Sequence, residues 1–169
     1  MSKTIYPLLL SLVLFSCKDE TTVTHREGQA DVYNHAGDDI EMNTARAKAR
    51  ETLPGFYQLI STNDSVRSTA SIKLKFNYTH DGETGGEHIW IYDLHFANDS
   101  LFGIVGNEPL YTTEVKLNQE IYIDTNNTSD WFYISNGKMV GGYTLRVDYH
   151  KMSNTDKKKL EASMGCKIE

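Results

Sequence analysis

Two cysteines in 169 residues are too few for a disulfide scaffold or a four-thiolate zinc site. Basic residues are also short: 17 Lys and Arg stand against 23 Asp and Glu, a formal charge of −6. That balance excludes the basic face or stripe of a general nucleic-acid binder, so no nucleic-acid partner is expected. No apolar run reaches the roughly 20 residues that span a bilayer as a helix. Spacings that carry known chemistry are missing too. There is no H-x-x-x-H, H-x-H or C-x-x-C, no G-x-x-x-x-G-K-[ST] and no G-x-S-x-G. Neither a metal nor a cofactor is expected.

What is present is a core. Hydrophobic residues make up 39% of the chain, with ten Tyr, six Phe and two Trp, which excludes wholesale disorder. The length suits one domain, or one domain with a tail. A multidomain enzyme is not expected.

The N-terminus reads Met1-Ser2-Lys3, then an apolar run from Leu8 to Phe15, then Ser16-Cys17. One positive residue, a short apolar run and a small residue before the break are the parts of a secretory signal peptide. Leu14-Phe15-Ser16-Cys17 resembles the lipobox of bacterial lipoproteins, which implies cleavage before Cys17 and lipid on its thiol. Lys18-Asp19-Glu20 resembles the export signal of surface lipoproteins in the Bacteroidetes. The expected organisation is a signal peptide over residues 1–16, a flexible tether over 17–37 and a domain over 38–165. Loss of Lys3 with the leader takes the formal charge from −6 to −7. The expected location is the outer membrane, on its periplasmic or cell-surface face. Several acyl chains hold a protein there far better than one. Cys166 is then left as a lone thiol.

Beyond the tether, Asp38 precedes Glu41 in a capping-box arrangement, and Met42, Ala45, Ala49 and Leu53 recur at helical spacing. The spacing predicts a helix over 39–52 stopped by Pro54, then an apolar helical turn of Phe56, Tyr57, Leu59 and Ile60 docked on the core. The grammar then changes to a period of two. Ile72, Leu74, Phe76 and Tyr78 alternate with Lys73, Lys75 and Asn77, the pattern of a half-buried strand. Further strands are expected over Ile89–Phe96, Leu101–Val105, Glu120–Ile123 and Trp131–Ile134, separated by the Gly-rich loop 80–86, the turn 97–100 and the Asn136-Gly137 turn. Tyr143, Leu145, Val147 and Tyr149 alternate as in a strand, although a helix through Val140, Tyr143 or Thr144, and Val147 fits the same stretch. Lys157 to Met164 form a helix closed by Gly165. The expected fold is α+β, a strongly bent antiparallel sheet or small barrel flanked by N-terminal and C-terminal helices.

Candidates for chemistry are few. His88 and His95 are an odd number of residues apart on one strand, so without a bulge the pleat sends them to opposite faces. Glu108, before Pro109, and Asp130, before Trp131, are the candidate acid and base, each beside groups able to shape an aromatic-lined groove. Both also suit structural roles, Glu108 in a turn and Asp130 at an edge or cap. Trp90, Tyr92, Tyr111, Trp131, Tyr133 and Tyr143 suit either the core or a recognition surface, since Tyr and Trp dominate binding hot spots.

Glu87-His88-Ile89-Trp90, Leu101-Phe102-Gly103, Asn107-Glu108-Pro109, Ser129-Asp130-Trp131-Phe132-Tyr133 and the run from Asn136 to Arg146 together resemble the YegJ-like family, a bacterial domain of unknown function. The likeness covers about residues 40–160, with Asn43 to Pro54 as the helical lead-in. It implies no reaction and no catalytic residues. It does select Glu108, Asp130, Trp131, Gly141, Gly142, Tyr143 and Arg146, the last as an ion-pair partner of Asp130 or Glu108. The expectation is a non-catalytic, lipid-tethered domain that binds a protein or envelope ligand through an aromatic and acidic groove, with Trp90, Glu108, Asp130, Trp131, Tyr143 and Arg146 as binding candidates. Two alternatives stay open: a hydrolase using Glu108 or Asp130, and a toxin-neutralising immunity protein, suggested by similar-looking domains.

Overall fold

The structure is a computed structural model that describes residues 22–24, 32–35, 37 and 39–169. The leader, Cys17 and Asp38 lie outside the described residues. Within the stretch expected as a tether, β1 (Thr22–Thr24) pairs antiparallel with β2 (Val32–Asn34). Then follow α1 (Ile40–Thr62), α2 (Asp64–Arg67), β3 (Ser71–His80), β4 (Glu83–Ala97), β5 (Ser100–Val105), β6 (Glu120–Tyr122), β7 (Thr128–Ser135), β8 (Lys138–Gly141), α3 (Tyr143–Lys151) and α4 (Asn154–Met164). The last six strands form one curled antiparallel sheet in the order β6-β5-β4-β3-β7-β8, with helices on both sides. The α+β expectation is met.

Turn chemistry sets the hairpins. Asp81-Gly82, Asn98-Asp99 and Asn136-Gly137 all place two consecutive residues at positive φ, the mirror-image turn whose twist matches that of the flanking strands. The loop expected over 80–86 is therefore only two residues long, and Gly85 and Gly86 lie within β4.

Register assigns the faces. Ile72, Leu74 and Phe76 of β3 stand beside Ile91, Ile89 and Glu87 of β4, while Ile72 also stands beside Trp131 of β7. This face carries the main core, which α1 covers with Ala49, Phe56 and Ile60. The opposite face carries Lys73 beside Trp90 and Asp130, and Lys75 beside His88. There a second core of Phe132, Met139, Cys166 and Ile168 packs with residues of α3 and α4. The core thus continues past Gly165, and Cys166 is buried, with burial pushing its thiol pKa up.

Two elements differ from expectation. Pro54 does not stop α1; it lies inside a 23-residue helix whose buried residues Met42, Ala49, Phe56 and Ile60 keep one face across it. An interior proline costs about 3 kcal/mol, whereas burying Phe56 and Ile60 contributes roughly 1.5–3 kcal/mol each, so packing wins. The N-cap is Asp39, whose carboxylate accepts from Met42 N at 2.9 Å, one residue later than the capping box suggested.

The second is residues 143–149, where the sequence fits a strand or a helix and the helix forms. The buried set is Thr144, Val147 and Asp148, spaced i, i+3, i+4, so the alternating apolar residues mark no strand face. Gly141 and Gly142, at φ +80° and +66°, turn the chain from β8 into α3. A Cβ at Gly141 would lie 2.4 Å from the Trp131 carbonyl oxygen, so the left-handed turn and the close approach both require glycine.

His35 fastens the chain entering the domain. Its Nδ1 lies 2.8 Å from Asp39 Oδ2 and its Nε2 2.7 Å from Asp148 Oδ1, with 4% of the side chain exposed. The hydrogen bond to Asp148, then that to Asp39, outweigh burial and raise its pKa above 6.5. Stability from such a histidine is fully present below the unfolded pKa and is lost as pH rises through the folded one. Asp39 works at the other end: the Met42 N–H holds its carboxyl below 3.8, so its contribution is lost as pH falls through that lowered value. The urea midpoint is therefore expected to fall as pH rises above 6.5, and to fall less in His35→Gln. Equal slopes in the two proteins would show that His35 is not the titrating group.

Candidate functional site

Trp131 and Tyr133 alternate on β7 and so point to the same face of the sheet. Phe56 of α1 stacks on Trp131 with ring centroids 4.5 Å apart and on Tyr133 at 6.4 Å. Tyr143, in the first turn of α3, meets Trp131 edge-on at 5.8 Å and 82°. These rings line a groove of about 490 Å³ completed by Glu51, Thr52, Gly55 and Leu59. The Trp131 indole N–H is committed to the Ala49 carbonyl at 2.9 Å, and the Tyr143 hydroxyl accepts from Thr52 Oγ1 at 3.3 Å. The indole bond holds α1 to the sheet and the Thr52 contact holds α1 to α3, which fixes the orientation of both rings. Glu51 supplies the one charge, at the rim, where Lys48 pairs with it at 3.0 Å. Of the residues expected to bind, Trp131 and Tyr143 line this groove, whereas Trp90, Glu108, Asp130 and Arg146 do not, and its one carboxylate is Glu51.

The other aromatic candidates go elsewhere. Trp90 lies on the opposite sheet face, edge-on to Phe132 at 4.9 Å and under the Lys73 ammonium at 5.2 Å. Tyr92 is exposed on that same face. Tyr111 packs against Tyr78 at 5.0 Å, beside a second, more polar concavity lined by Lys75, Asn77, Thr84 and Glu114.

Asp130 and Glu108 do not meet in either concavity. Asp130 is fully buried and accepts from the backbone N–H groups of Trp131, Tyr143 and Thr144 at 2.8, 3.0 and 2.7 Å, and from the Thr144 hydroxyl at 2.7 Å. It is the cap of α3, whose own N-cap residue Gly142 offers no side chain. Glu108 is exposed in the loop after β5. Arg146 pairs with neither. Its guanidinium donates to the carbonyls of Gly141 at 2.9 Å, Met139 at 2.8 Å and Glu169, tying α3 to β8 and the C-terminal residue.

Histidine placement also changes. Asp93, at φ +52°, accompanies a register shift between Tyr92 and His95, and this bulge returns His95 to the face of His88. The two remain far apart along β4, and among the described residues no group of three His, Cys, Asp or Glu is placed to hold a metal.

One organising residue was missed by the sequence reading. Glu87, on the core face and largely buried, accepts from Leu110 N at 2.7 Å and from Tyr111 N and Thr112 N at 3.0 Å each. The loop it pins closes the free edge of β3: Thr112 Oγ1 donates to the Asn77 carbonyl, and Glu114 accepts from Asn77 N. No local pattern marks that role.

Among the described residues no helix is long and apolar enough to cross a membrane. Residues 39–168 match the family described as "Uncharacterized protein conserved in bacteria (DUF2314)". The chain is 30% identical over 138 residues to the uncharacterised protein YegJ of Escherichia coli K12, covering 82% of this chain and 83% of that one. It is 28% identical over 142 residues to a Neisseria meningitidis serogroup B protein whose name places it provisionally among ankyrin repeat proteins. There the match covers 82% of this chain and 56% of the relative's length. No solved structure matches the chain.

Proposed function

Because the chain belongs to this bacterial family, described only as uncharacterised and conserved, we propose from its own residues that it is a binding domain anchored to the outer membrane by lipid on Cys17. Its ligand, a protein or envelope component on the periplasmic or cell-surface side, occupies the groove of Trp131, Tyr133 and Tyr143. The observation that carries this reading is the convergence of four rings and one carboxylate on a single concavity. Aromatic rings of fixed orientation give large contact area at little cost in side-chain entropy. Asp130 spends its oxygens on backbone donors, so of the two candidate carboxylates it is the one with a structural task that accounts for its burial. The anchor rests on the leader and on Leu14-Phe15-Ser16-Cys17.

The full chain, expressed in a bacterium that processes lipoproteins, tests both halves. Wild type is expected in the membrane fraction and Cys17→Ala in the soluble fraction. Tyr133→Ser with Tyr143→Ser should stay at the membrane and lose about 10-fold or more in crosslinking to the envelope component that wild type captures. Unchanged fractionation of Cys17→Ala sinks the anchor. Substrate turnover abolished by Glu108→Gln sinks the non-catalytic reading.

A further inference from the structure

Beyond Leu74, β3 has no partner on its β7 side. The loop over 110–114 lies along the edge this leaves, held by the three N–H groups that Glu87 accepts and by the Thr112 hydroxyl on the Asn77 carbonyl. This loop and the β3–β4 hairpin line a concavity of about 700 Å³, within the roughly 300–1,000 Å³ of small-ligand sites. It shares no residue with the groove of Trp131.

Two glycines shape it. Gly85 and Gly86 lie inside β4, where glycine weakens a strand and marks a close approach. A Cβ at Gly85 would overlap the ring and hydroxyl of Tyr78, and one at Gly86 would overlap Lys75 Cε, so both side chains lie across bare backbone. Tyr78 packs on Tyr111 with ring centroids 5.0 Å apart and planes inclined by 34°. Both rings are half-buried and line the concavity. The polar groups around them balance in charge: Lys75 against Glu114, with the Asn77 amide and the hydroxyls of Thr84 and Thr113. Glu114 spends one oxygen on Asn77 N at 3.2 Å. Among the described residues the Lys75 ammonium has no ion-pair partner, and the Asn77 amide and the two hydroxyls make no hydrogen bond.

We propose that this concavity is a saccharide-binding site, in which Tyr78 and Tyr111 pack on the C–H face of a sugar ring and Lys75, Asn77, Thr113 and Glu114 bond its hydroxyls. A sugar hydroxyl both donates and accepts, so it matches acceptors such as Glu114 and Asn77 Oδ1 set beside donors such as Lys75 Nζ and Asn77 Nδ2. Its C–H face matches aromatic surface already held in place before binding. Two other occupants fit less well. A peptide adding as a strand needs successive open backbone groups on β3, and those of Asn77 are taken by Thr112 and Glu114. An anion drawn to Lys75 meets the Glu114 carboxylate in the same concavity.

The test uses the full chain carrying Cys17→Ala, with glucose, galactose, mannose, N-acetylglucosamine, maltotriose, cellotriose and chitotriose as probes. Affinity is read by calorimetry, and the ring resonances of Tyr78 and Tyr111 are followed by NMR. At least one probe is expected to bind, to shift both rings and to lose about 10-fold or more in affinity in Tyr78→Ala with Tyr111→Ala. Gly85→Ala keeps both rings but displaces Tyr78, because the added methyl meets the far end of that side chain, and it should weaken binding likewise. Tyr133→Ser with Tyr143→Ser should leave binding unchanged, which separates this site from the groove of Trp131. The proposal is overturned if no probe binds up to about 10 mM, if binding leaves the Tyr78 and Tyr111 resonances unmoved, or if it survives both the Gly85 and the tyrosine substitutions. Because the ring resonances are read in the protein with its concavity unsubstituted, misfolding of a variant does not remove the test.

Discussion

Asp130→Ala is expected to lower folding stability by about 3–5 kcal/mol, the range for stripping one partner from a buried charged network. That is a large part of the roughly 5–15 kcal/mol that holds a domain of this size together. The carboxylate is fully buried and receives three backbone N–H groups and the Thr144 hydroxyl. Two of those N–H groups belong to the first turn of α3, which has no other side-chain cap. Without Asp130 they are left unpaired under Trp131, and the Lys73 ammonium beside them loses its nearest counter-charge. Asn at 130 keeps the shape but turns an NH₂ toward donors, so Asp130→Asn should recover only part of the loss. Urea unfolding followed by circular dichroism reads both variants. A fall below about 1 kcal/mol for Asp130→Ala would mean that α3 is held by Val147 and Arg146 rather than by its cap.

This cap shows where the sequence stops being legible. The hairpins were readable because each rests on two adjacent residues, Asn136-Gly137 being the plainest. The strand faces were readable because β3 alternates without interruption. A helix whose N-cap is Gly142 and whose capping side chain comes from 12 positions before that glycine leaves no local mark, so residues 143–149 fit a strand as well as a helix. Pro54 misled for a related reason: its cost is local, while the burial of Phe56 and Ile60 that offsets it is tertiary. The groove fell between these cases. Trp131, Tyr133 and Tyr143 were recognisable as candidates, but Phe56 and Glu51 join them only because α1 runs through Pro54 without breaking. Arg146 was recognisable as a residue with a partner. That its partners are carbonyls rather than carboxylates follows from α3 being helical.

Glu87→Ala is expected to cost about 2–4 kcal/mol and, unlike the loss at Asp130, to show its effect in one loop first. Hydrogen bonds to a charged group contribute about 1.5–3 kcal/mol each, and Glu87 accepts three. Part is regained when the freed N–H groups of Leu110, Tyr111 and Thr112 reach water, which is why the total falls short of the sum. Amide hydrogen exchange should accelerate at those three positions before any change in β4. The consequence reaches β3, whose edge beyond β7 is closed by Thr112 and Glu114 at Asn77. With that loop loosened, the backbone groups of Asn77 become an open edge for pairing with another chain, and concentration-dependent association should follow. Glu87→Gln keeps one acceptor oxygen and should lie between wild type and Ala in both readouts. Unaltered exchange at residues 110–112 in Glu87→Ala would show that the loop is held instead by Val115, which is buried in the main core.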